Sequence, residues 1–142
     1  MSAFRRTFAL AGLAAGLSAA PLAAQDAMPA DSLAYARQIT TWFFAGEVDS
    51  LVAHSDSAGQ GIEAETEWQD RLASVTARLG TETEVLEEKF VKRNGQTHYW
   101  RTSKYSEFAR EPVMVRWAFN KQGQLIGAGL NPKSQAPPID QD

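Results

Sequence analysis

The sequence predicts an α+β fold in which three N-terminal helices pack on a four-stranded antiparallel sheet. Before Gly80, apolar side chains recur every three or four residues, which is the period of an amphipathic helix. After Gly80 the period falls to two, which is the period of a half-buried strand. Asn94-Gly95 is typical of a tight two-residue hairpin. Helices grouped before strands indicate an α+β domain with the helices on one sheet face.

The first 24 residues have the order of a secretory signal peptide. Arg5-Arg6 precedes a run rich in Ala, Leu and Gly at residues 7–20, and Leu22-Ala23-Ala24 is a small-residue cleavage site. We therefore predict an exported protein, periplasmic or secreted, whose mature chain starts at Gln25 and has no membrane span. The arginine pair also fits a twin-arginine signal, so both that route and the general secretory route stay open.

Length and composition predict one small domain. Cleavage after Ala24 would leave 118 of the 142 residues, which suits a single core. The chain has no cysteine, which excludes disulfides, thiolate metal sites and thiol nucleophiles. Losing the two signal arginines moves the formal net charge from −3 to −5, which does not predict nucleic-acid binding. We expect a flexible leader at 25–30, the domain at 31–132 and a disordered tail at 133–142.

Three helices are expected in the first half of the mature chain. The first should begin at the N-cap Asp31 or Ser32 and run to about Ala45, because Gly46 can adopt the left-handed conformation that ends a helix. A short second helix follows, and the third should run from about Glu63 to Gly80. Their apolar positions are Ala36, Ile39 and Phe43, then Val48, Leu51 and Val52, then Trp68, Leu72, Val75 and Leu79.

Four strands are expected after the helices, separated by turns at Asn94-Gly95, Arg110-Glu111 and Gly123. The third strand alternates most cleanly, so it should bury one face. That face carries Val113, Val115, Trp117 and Phe119. The predicted strands are residues 83–93, 97–108, 112–120 and 125–130.

The pairing of the second and third strands determines which side chains face the helices. A two-residue turn at Arg110-Glu111 would place Lys104 opposite Trp117 on the buried face. A three-residue connection would instead place Tyr105 opposite Trp117. We prefer the first pairing because Phe108 then joins the buried face of the third strand.

Two stretches of the sequence resemble known structural motifs. Residues 42–51 read WFFAGEVDSL, and residues 119–127 read FNKQGQLIG. They are similar to the helix-to-helix passage and the closing hairpin of the nuclear transport factor 2-like superfamily, the cystatin-like fold of ketosteroid isomerases and polyketide cyclases. The resemblance implies a strongly curved, cone-shaped sheet around a pocket, and a homodimer through the outer sheet face. The family enzymes carry Asp in this pocket, whereas the predicted strands contain none.

Few residues of this chain predict a specific chemistry. His54 and His98 lack any ligand spacing, so we expect no metal site, and His54 suits the end of a helix. No nucleophile elbow or complete dinucleotide loop occurs, so no cofactor is expected.

The preferred pairing gathers polar and aromatic side chains into a candidate pocket for a small anionic or apolar molecule. Lys104 would meet an anionic group, or alternatively lie at the rim with its ammonium in water. The candidate pocket residues are Trp42, Phe43, His98, Trp100, Thr102, Lys104 and Trp117. The outer face, and with it the homodimer contact, would carry Tyr99, Tyr105, Met114 and Arg116.

Three functions therefore stay open. The first is an exported domain that binds a small ligand or assembles with a partner, without catalysis. The second is a small isomerase, dehydratase or cyclase in which Lys104 or His98 transfers a proton. The third is a structural module that forms a homodimer. A buried polar pair in the pocket would favour the enzyme, and a filled cone would favour the structural module.

Overall fold

The computed structural model describes residues 28–138, which form an α+β structure with one four-stranded antiparallel sheet. The predicted signal peptide, residues 25–27 of the leader and residues 139–142 of the tail lie outside the described residues. The helices are α1 (Ser32–Ala45), α2 (Val48–Ala53) and α3 (Ile62–Leu79). The strands are β1 (Glu82–Arg93), β2 (Gln96–Tyr105), β3 (Phe108–Phe119) and β4 (Leu125–Pro132).

Helix α1 has the ends that its sequence predicts. The Asp31 carboxylate accepts a hydrogen bond from the backbone N–H of Ala34 at 3.0 Å, which satisfies one of the free donors of the first turn. Gly46 ends the helix with φ 77°, a left-handed conformation that costs glycine little. The chain then enters α2, and the carbonyl of His54 accepts a hydrogen bond from the N–H of Leu125 at the start of β4.

The four strands form a meander in the order β1-β2-β3-β4, and the sheet stays open, with β1 and β4 at its edges. The predicted hairpin at Asn94-Gly95 is confirmed, since both residues have positive φ, 50° and 74°. Gly123, with φ 78°, lies in the turn between β3 and β4, also as predicted.

The pairing of β2 with β3 differs from the preferred prediction. Tyr99 lies opposite Trp117, so the expected pair of Lys104 with Trp117 is wrong, and the alternative pair of Tyr105 with Trp117 is wrong too. The turn falls at residues 106–107, and the predicted turn residues Arg110-Glu111 lie inside β3. As a consequence, Tyr99 rather than His98 shares a face with Trp117.

Backbone hydrogen bonds to the end of α3 hold this turn in place. The N–H of Ser106 donates to the carbonyl of Thr81, and the N–H of Glu107 donates to the carbonyl of Leu79, both at 2.9 Å. A register irregularity between Ser103 and Tyr105 adjusts β2 to the turn. These are tertiary contacts, which a strand pattern alone does not contain.

The buried core lies between α1 and one face of the sheet, which we call the core face. The indole N–H of Trp117 donates to the Thr40 hydroxyl at 2.8 Å, and this hydrogen bond ties β3 to α1. Trp68, Leu72 and Val75 of α3 are partly buried against the same core. The core comprises Ala36, Ile39, Phe43, Leu51, Tyr99, Val115, Trp117, Phe119 and Leu125. The opposite, outer face carries His98, Trp100, Thr102, Met114 and Arg116.

The chain after β4 continues into a short helical turn at the start of the predicted tail. Lys133–Gln135 forms a single turn of 3-10 helix. Ser134 donates two hydrogen bonds to the Glu111 carboxylate, at 2.8 Å from its backbone N–H and 2.9 Å from its hydroxyl. Within residues 28–138, no helix is long and apolar enough to cross a membrane.

Candidate functional site

A cavity of about 710 Å³ opens between α1, the end of α3 and the edge strand β1. Its volume is within the range of small-molecule sites. Most of the wall is small or apolar, and the charged groups belong to one connected cluster. The lining residues are Arg37, Thr40, Thr41, Phe44, Ala45, Thr76, Gly80, Thr81, Glu82, Val85, Glu88 and Arg101.

Glu88 is the centre of the charged cluster. Its carboxylate accepts two hydrogen bonds from the Arg37 guanidinium, at 2.6 and 3.0 Å. It also accepts one from Arg101 at 2.8 Å and a short one from the Tyr99 hydroxyl. Arg37 belongs to α1, whereas Tyr99 and Arg101 belong to β2, so Glu88 of β1 connects three elements at the cavity.

Arg101 extends the cluster to a second acid. Its Nη2 and Nε donate to the two carboxylate oxygens of Glu82, at 2.5 and 2.9 Å. This two-pronged geometry is the strongest arrangement of an arginine and a carboxylate. Arg101, Glu82 and Glu88 are all at most 22 % exposed, so the pairs are shielded from solvent.

Contacts within the cluster shift the pKa values of Glu88 and Tyr99 away from their ordinary values. The Arg37 hydrogen bond, followed by the Tyr99 hydroxyl and the Arg101 charge, lowers the pKa of Glu88 to about 2 despite its partial burial. Burial and the Glu88 hydrogen bond raise the pKa of Tyr99 to about 12. Near neutral pH the carboxylate therefore stays ionised and the phenol stays protonated. Such groups orient and bind a guest better than they exchange protons with it.

Arg37 differs from the rest of the cluster in its exposure. Its side chain is 53 % exposed, against 15 % for Glu88 and 14 % for Arg101. Hydrogen bonding to Glu88 raises its pKa, so it remains a cation. Arg37 is thus the charged group of the cluster that a guest in the cavity reaches most easily.

Two buried hydroxyl groups extend this polar region deeper into the core face. Tyr105 and Ser103 are buried near the Glu82 carboxylate, but within the described part of the chain neither hydroxyl has a partner at normal hydrogen-bond geometry. Burial, and then the charge of Glu82, raise the pKa of Tyr105. The core near the cavity therefore retains unused hydrogen-bonding capacity.

The structure does not bring the predicted pocket residues together. Phe43 and Trp117 meet in the core with ring centroids 5.3 Å apart, and Trp42 lies next to His54 at 4.6 Å. The other four predicted residues, His98, Trp100, Thr102 and Lys104, belong to β2 on the outer side of the sheet. The change of register separates the two groups.

Lys104 is exposed on the outer side of the sheet, so it neither faces Trp117 nor lies at the rim of a pocket around Trp117. Its ammonium pairs with Glu84 at 2.6 Å, and both side chains are 55 % exposed. An exposed pair of this kind contributes about 0–1 kcal/mol. His54 ends α2, and its Nδ1 lies 2.8 Å from the carbonyl oxygen of Ser50, which is a structural position.

The predicted outer face, with Tyr99, Tyr105, Met114 and Arg116, is wrong for its two tyrosines. Tyr99 and Tyr105, which we expected outside, lie in the core with at most 3 % exposure. Met114 and Arg116 are on the outer face as expected, but Met114 is itself buried. The outer face therefore carries no cluster of exposed tyrosines.

Glu88, Arg101 and Arg37 are not among the residues predicted for the site. The sequence contains one signal for Arg101, since the alternative strand pairing turns Tyr105 inward, and Tyr99 and Arg101 share its face by alternation. The predicted strands contain no aspartate, but the glutamates of β1 carry the same carboxylate group. No spacing in the sequence links Arg37 to Glu88, because they meet only when α1 packs beside β1.

Comparisons of the chain with protein-family models, with curated proteins and with solved structures give no match. The described residues contain no group of three or more His, Cys, Asp or Glu side chains placed to hold a metal ion.

Proposed function

We propose that this protein binds a small molecule in the cavity between α1 and β1. The observation that carries the proposal is the combination of an open cavity of about 710 Å³ with a pre-formed charged cluster in its wall. Concave, mostly apolar sites with a few fixed polar groups are the usual form of small-molecule sites.

The guest that fits best has an apolar body and one anionic group. Val85 is 41 % exposed and, with Phe44, gives the body an apolar surface. The anionic group would meet Arg37, whose planar guanidinium binds a carboxylate through two parallel hydrogen bonds. Glu88 would keep its hydrogen bonds from Tyr99 and Arg101 if Arg37 turned toward the guest.

We also propose membership of the nuclear transport factor 2-like superfamily, with the helices closing over the concave side of a cone-shaped sheet. The support is the sequence of residues 42–51 and 119–127, together with the order of three helices and an antiparallel meander. Export with cleavage after Ala24, and a homodimer through the outer face, stay predictions from the sequence and the resemblance.

Binding explains the cluster better than catalysis does. A general acid or base works best when its pKa lies near the working pH. The pKa of Glu88 is lowered to about 2 and that of Tyr99 is raised to about 12. Lys104 and His98, the proton-transfer groups of the enzyme alternative, lie on the other side of the sheet.

The test is a titration of the ¹⁵N-labelled full chain with octanoate, which combines an apolar chain with a carboxylate. We expect saturable shifts in the backbone amides that border the cavity, among them those of Thr41, Ala45 and Val85. Thr41→Phe places a ring in the cavity from an exposed helix position, so it should weaken octanoate binding at least about tenfold.

Ala77→Phe is the matched control, because it adds the same ring at an exposed position of α3 that does not border the cavity. Its affinity for octanoate should stay within about twofold of the wild type. Octanoate shifts that never saturate, or equal affinities in the wild type and Thr41→Phe, would refute the proposed site.

A further inference from the structure

The outer face of the sheet holds a second, separate cavity. It is shallow, with a volume of about 160 Å³, and Arg116 and His98 border it together with backbone and small side chains of β4. This is room for one acid group and not for a whole drug-sized molecule. It shares no lining residue with the cavity between α1 and β1.

The guanidinium of Arg116 lies directly across Gly129, its cross-strand neighbour on β4. A Cβ atom at position 129 would be 2.5 Å from Nη2 and 2.9 Å from Cζ of Arg116, which is closer than atoms approach. The missing side chain at Gly129 therefore makes the room in which Arg116 lies. Gly127 also lines the cavity.

Arg116 has no acidic partner within residues 28–138. Its Nη2 donates to the side-chain oxygen of Asn131 at 3.2 Å, while its Nε is buried without an acceptor. A guanidinium carries five N–H donors, and a buried donor without an acceptor destabilises the folded protein. An acceptor bound at this guanidinium would offset part of that destabilisation.

The charges that act on Arg116 and His98 come from arginines. Burial, followed by Arg93, lowers the pKa of Arg116. Burial, then Arg93 and Arg116, lower the pKa of His98, which favours its neutral form. Arg93 belongs to β1, His98 to β2 and Arg116 to β3, so three adjacent strands contribute nitrogen-bearing side chains to this region. The repulsion between Arg93 and Arg116 indicates that the site lacks a compensating negative charge.

Glu87 of β1 is already paired with lysines. Glu87 accepts from Lys89 at 2.9 Å and from Lys133 at 3.4 Å. Neither Arg93 nor Arg116 forms an ion pair in the described part of the chain. Lys89, Lys104 and Lys133 therefore have carboxylate partners, whereas Arg93 and Arg116 have none among the described residues.

We propose that this cavity is a binding site for an oxyanion, either a carboxylate or a phosphate group, held by Arg116 with His98 and Arg93 beside it. The planar guanidinium matches both groups and binds either one through paired hydrogen bonds. The site is independent of the proposed function, because it lies on the other face of the sheet and uses other residues.

The test is a titration of the ¹⁵N-labelled full chain with inorganic phosphate and, separately, with acetate, while sodium chloride keeps the ionic strength constant. We expect at least one of the two to cause saturable shifts at the Gly127 and Gly129 amides, and the tighter one identifies the class of acid group. Arg116→Gln should weaken that binding at least about tenfold, equivalent to 1.4 kcal/mol.

Two variants distinguish a binding site that depends on the position of the Arg116 guanidinium from a general effect of positive charge. Gly129→Ala keeps every charge but displaces the guanidinium, so it should weaken binding at least about fivefold. Lys104→Gln removes a cation that already pairs with Glu84, so its affinity should stay within about twofold.

Two results would overturn the proposal: shifts that sodium chloride reproduces, or equal losses in Arg116→Gln and Lys104→Gln. If circular dichroism shows that Arg116→Gln is unfolded, the affinities of Gly129→Ala and His98→Gln for the anion are used to test the site instead. Wild-type affinity in both of these variants would then refute the site.

Discussion

The hydroxyl of Tyr99 on β2 donates a short hydrogen bond to the carboxylate of Glu88 on β1. Tyr99 is fully buried in the core, whereas Glu88 borders the open cavity. This bond therefore connects the packed interior to the charged wall of the candidate site. Arg101, which lies opposite Glu88 in the strand pairing, donates to the same carboxylate and strengthens the connection.

The Glu88 carboxylate should make the free energy of unfolding depend on pH in the acid range. Because the pKa of folded Glu88 is lowered from 4.5 to about 2, its contribution is complete above pH 4.5 and is lost as the pH falls toward 2. In urea unfolding, Glu88→Gln should cost about 1–3 kcal/mol at pH 7. The difference between the two proteins should shrink over that acid range.

The control for this prediction is Glu63→Gln, which changes an exposed carboxylate on α3. Its difference from the wild type should stay within about 0.5 kcal/mol at pH 7. A Glu88→Gln difference that stays constant from pH 7 to pH 2 would contradict the assigned hydrogen bonds.

The hydrogen bond between Trp117 and Thr40 predicts two different losses of stability. Trp117→Ala removes a fully buried indole, so the free energy of unfolding should fall by about 3–5 kcal/mol. Thr40→Val keeps the shape but leaves the indole N–H without its acceptor, which should cost about 1–3 kcal/mol. Thr41→Val, at an exposed position of the same helix, should change stability by less than about 0.5 kcal/mol. Equal effects of the two threonine changes would show that the bond contributes nothing.

Gly80 and Gly95 allow a comparison that bears on the contact between α3 and the turn after β2. Both have positive φ, 68° and 74°, so replacement by Ala strains the backbone at each, and more at Gly80, whose ψ of −134° lies outside the left-handed helical region. Only at Gly80 would the new Cβ also collide with the turn, 2.3 Å from Ser106 Oγ. Thermal unfolding should therefore show Gly80→Ala to be about 1 kcal/mol less stable than Gly95→Ala. The reverse order would mean that the turn does not rest against the end of α3.

The helices and hairpins of this chain could be predicted because their determinants are local. The N-cap Asp31, the left-handed Gly46 and the Asn94-Gly95 turn each act within a few residues, and all three are confirmed. The register of β2 against β3 could not be predicted in this way. It depends on the hydrogen bonds of Ser106 and Glu107 to the end of α3, which lie far apart in sequence.

The candidate site could not be predicted because Tyr99, five residues from the expected Lys104, lies opposite Trp117, and a shift by any odd number of residues exchanges the two faces of β2. With the preferred pairing, His98 and Lys104 faced the core and Tyr99 and Arg101 faced outward. The structure places Tyr99 and Arg101 beside Glu88. Neither the strand alternation nor the turn residues separate these two possibilities, since both faces of β2 mix aromatic and polar side chains.

The predicted signal peptide has a direct test. Protein recovered from the exported fraction of the native host should begin at Gln25, because Leu22-Ala23-Ala24 is the best small-residue cleavage site after the apolar run. Intact-mass spectrometry measures this end. Replacing both Arg5 and Arg6 by Lys should abolish export by the twin-arginine route and leave the general secretory route working. Exported protein that retains Met1 or Ser2 would contradict cleavage.

The central claim is that a guest lies in the cavity with its acid group at Arg37. The most direct measurement compares the affinities of the wild type and Arg37→Gln for octanoate and for 1-octanol, which has the same chain without the charge. Arg37→Gln should weaken octanoate binding about tenfold and leave 1-octanol binding within about twofold, because only the carboxylate needs the guanidinium. Equal changes for the two probes, or an unchanged affinity for octanoate, would contradict the claim.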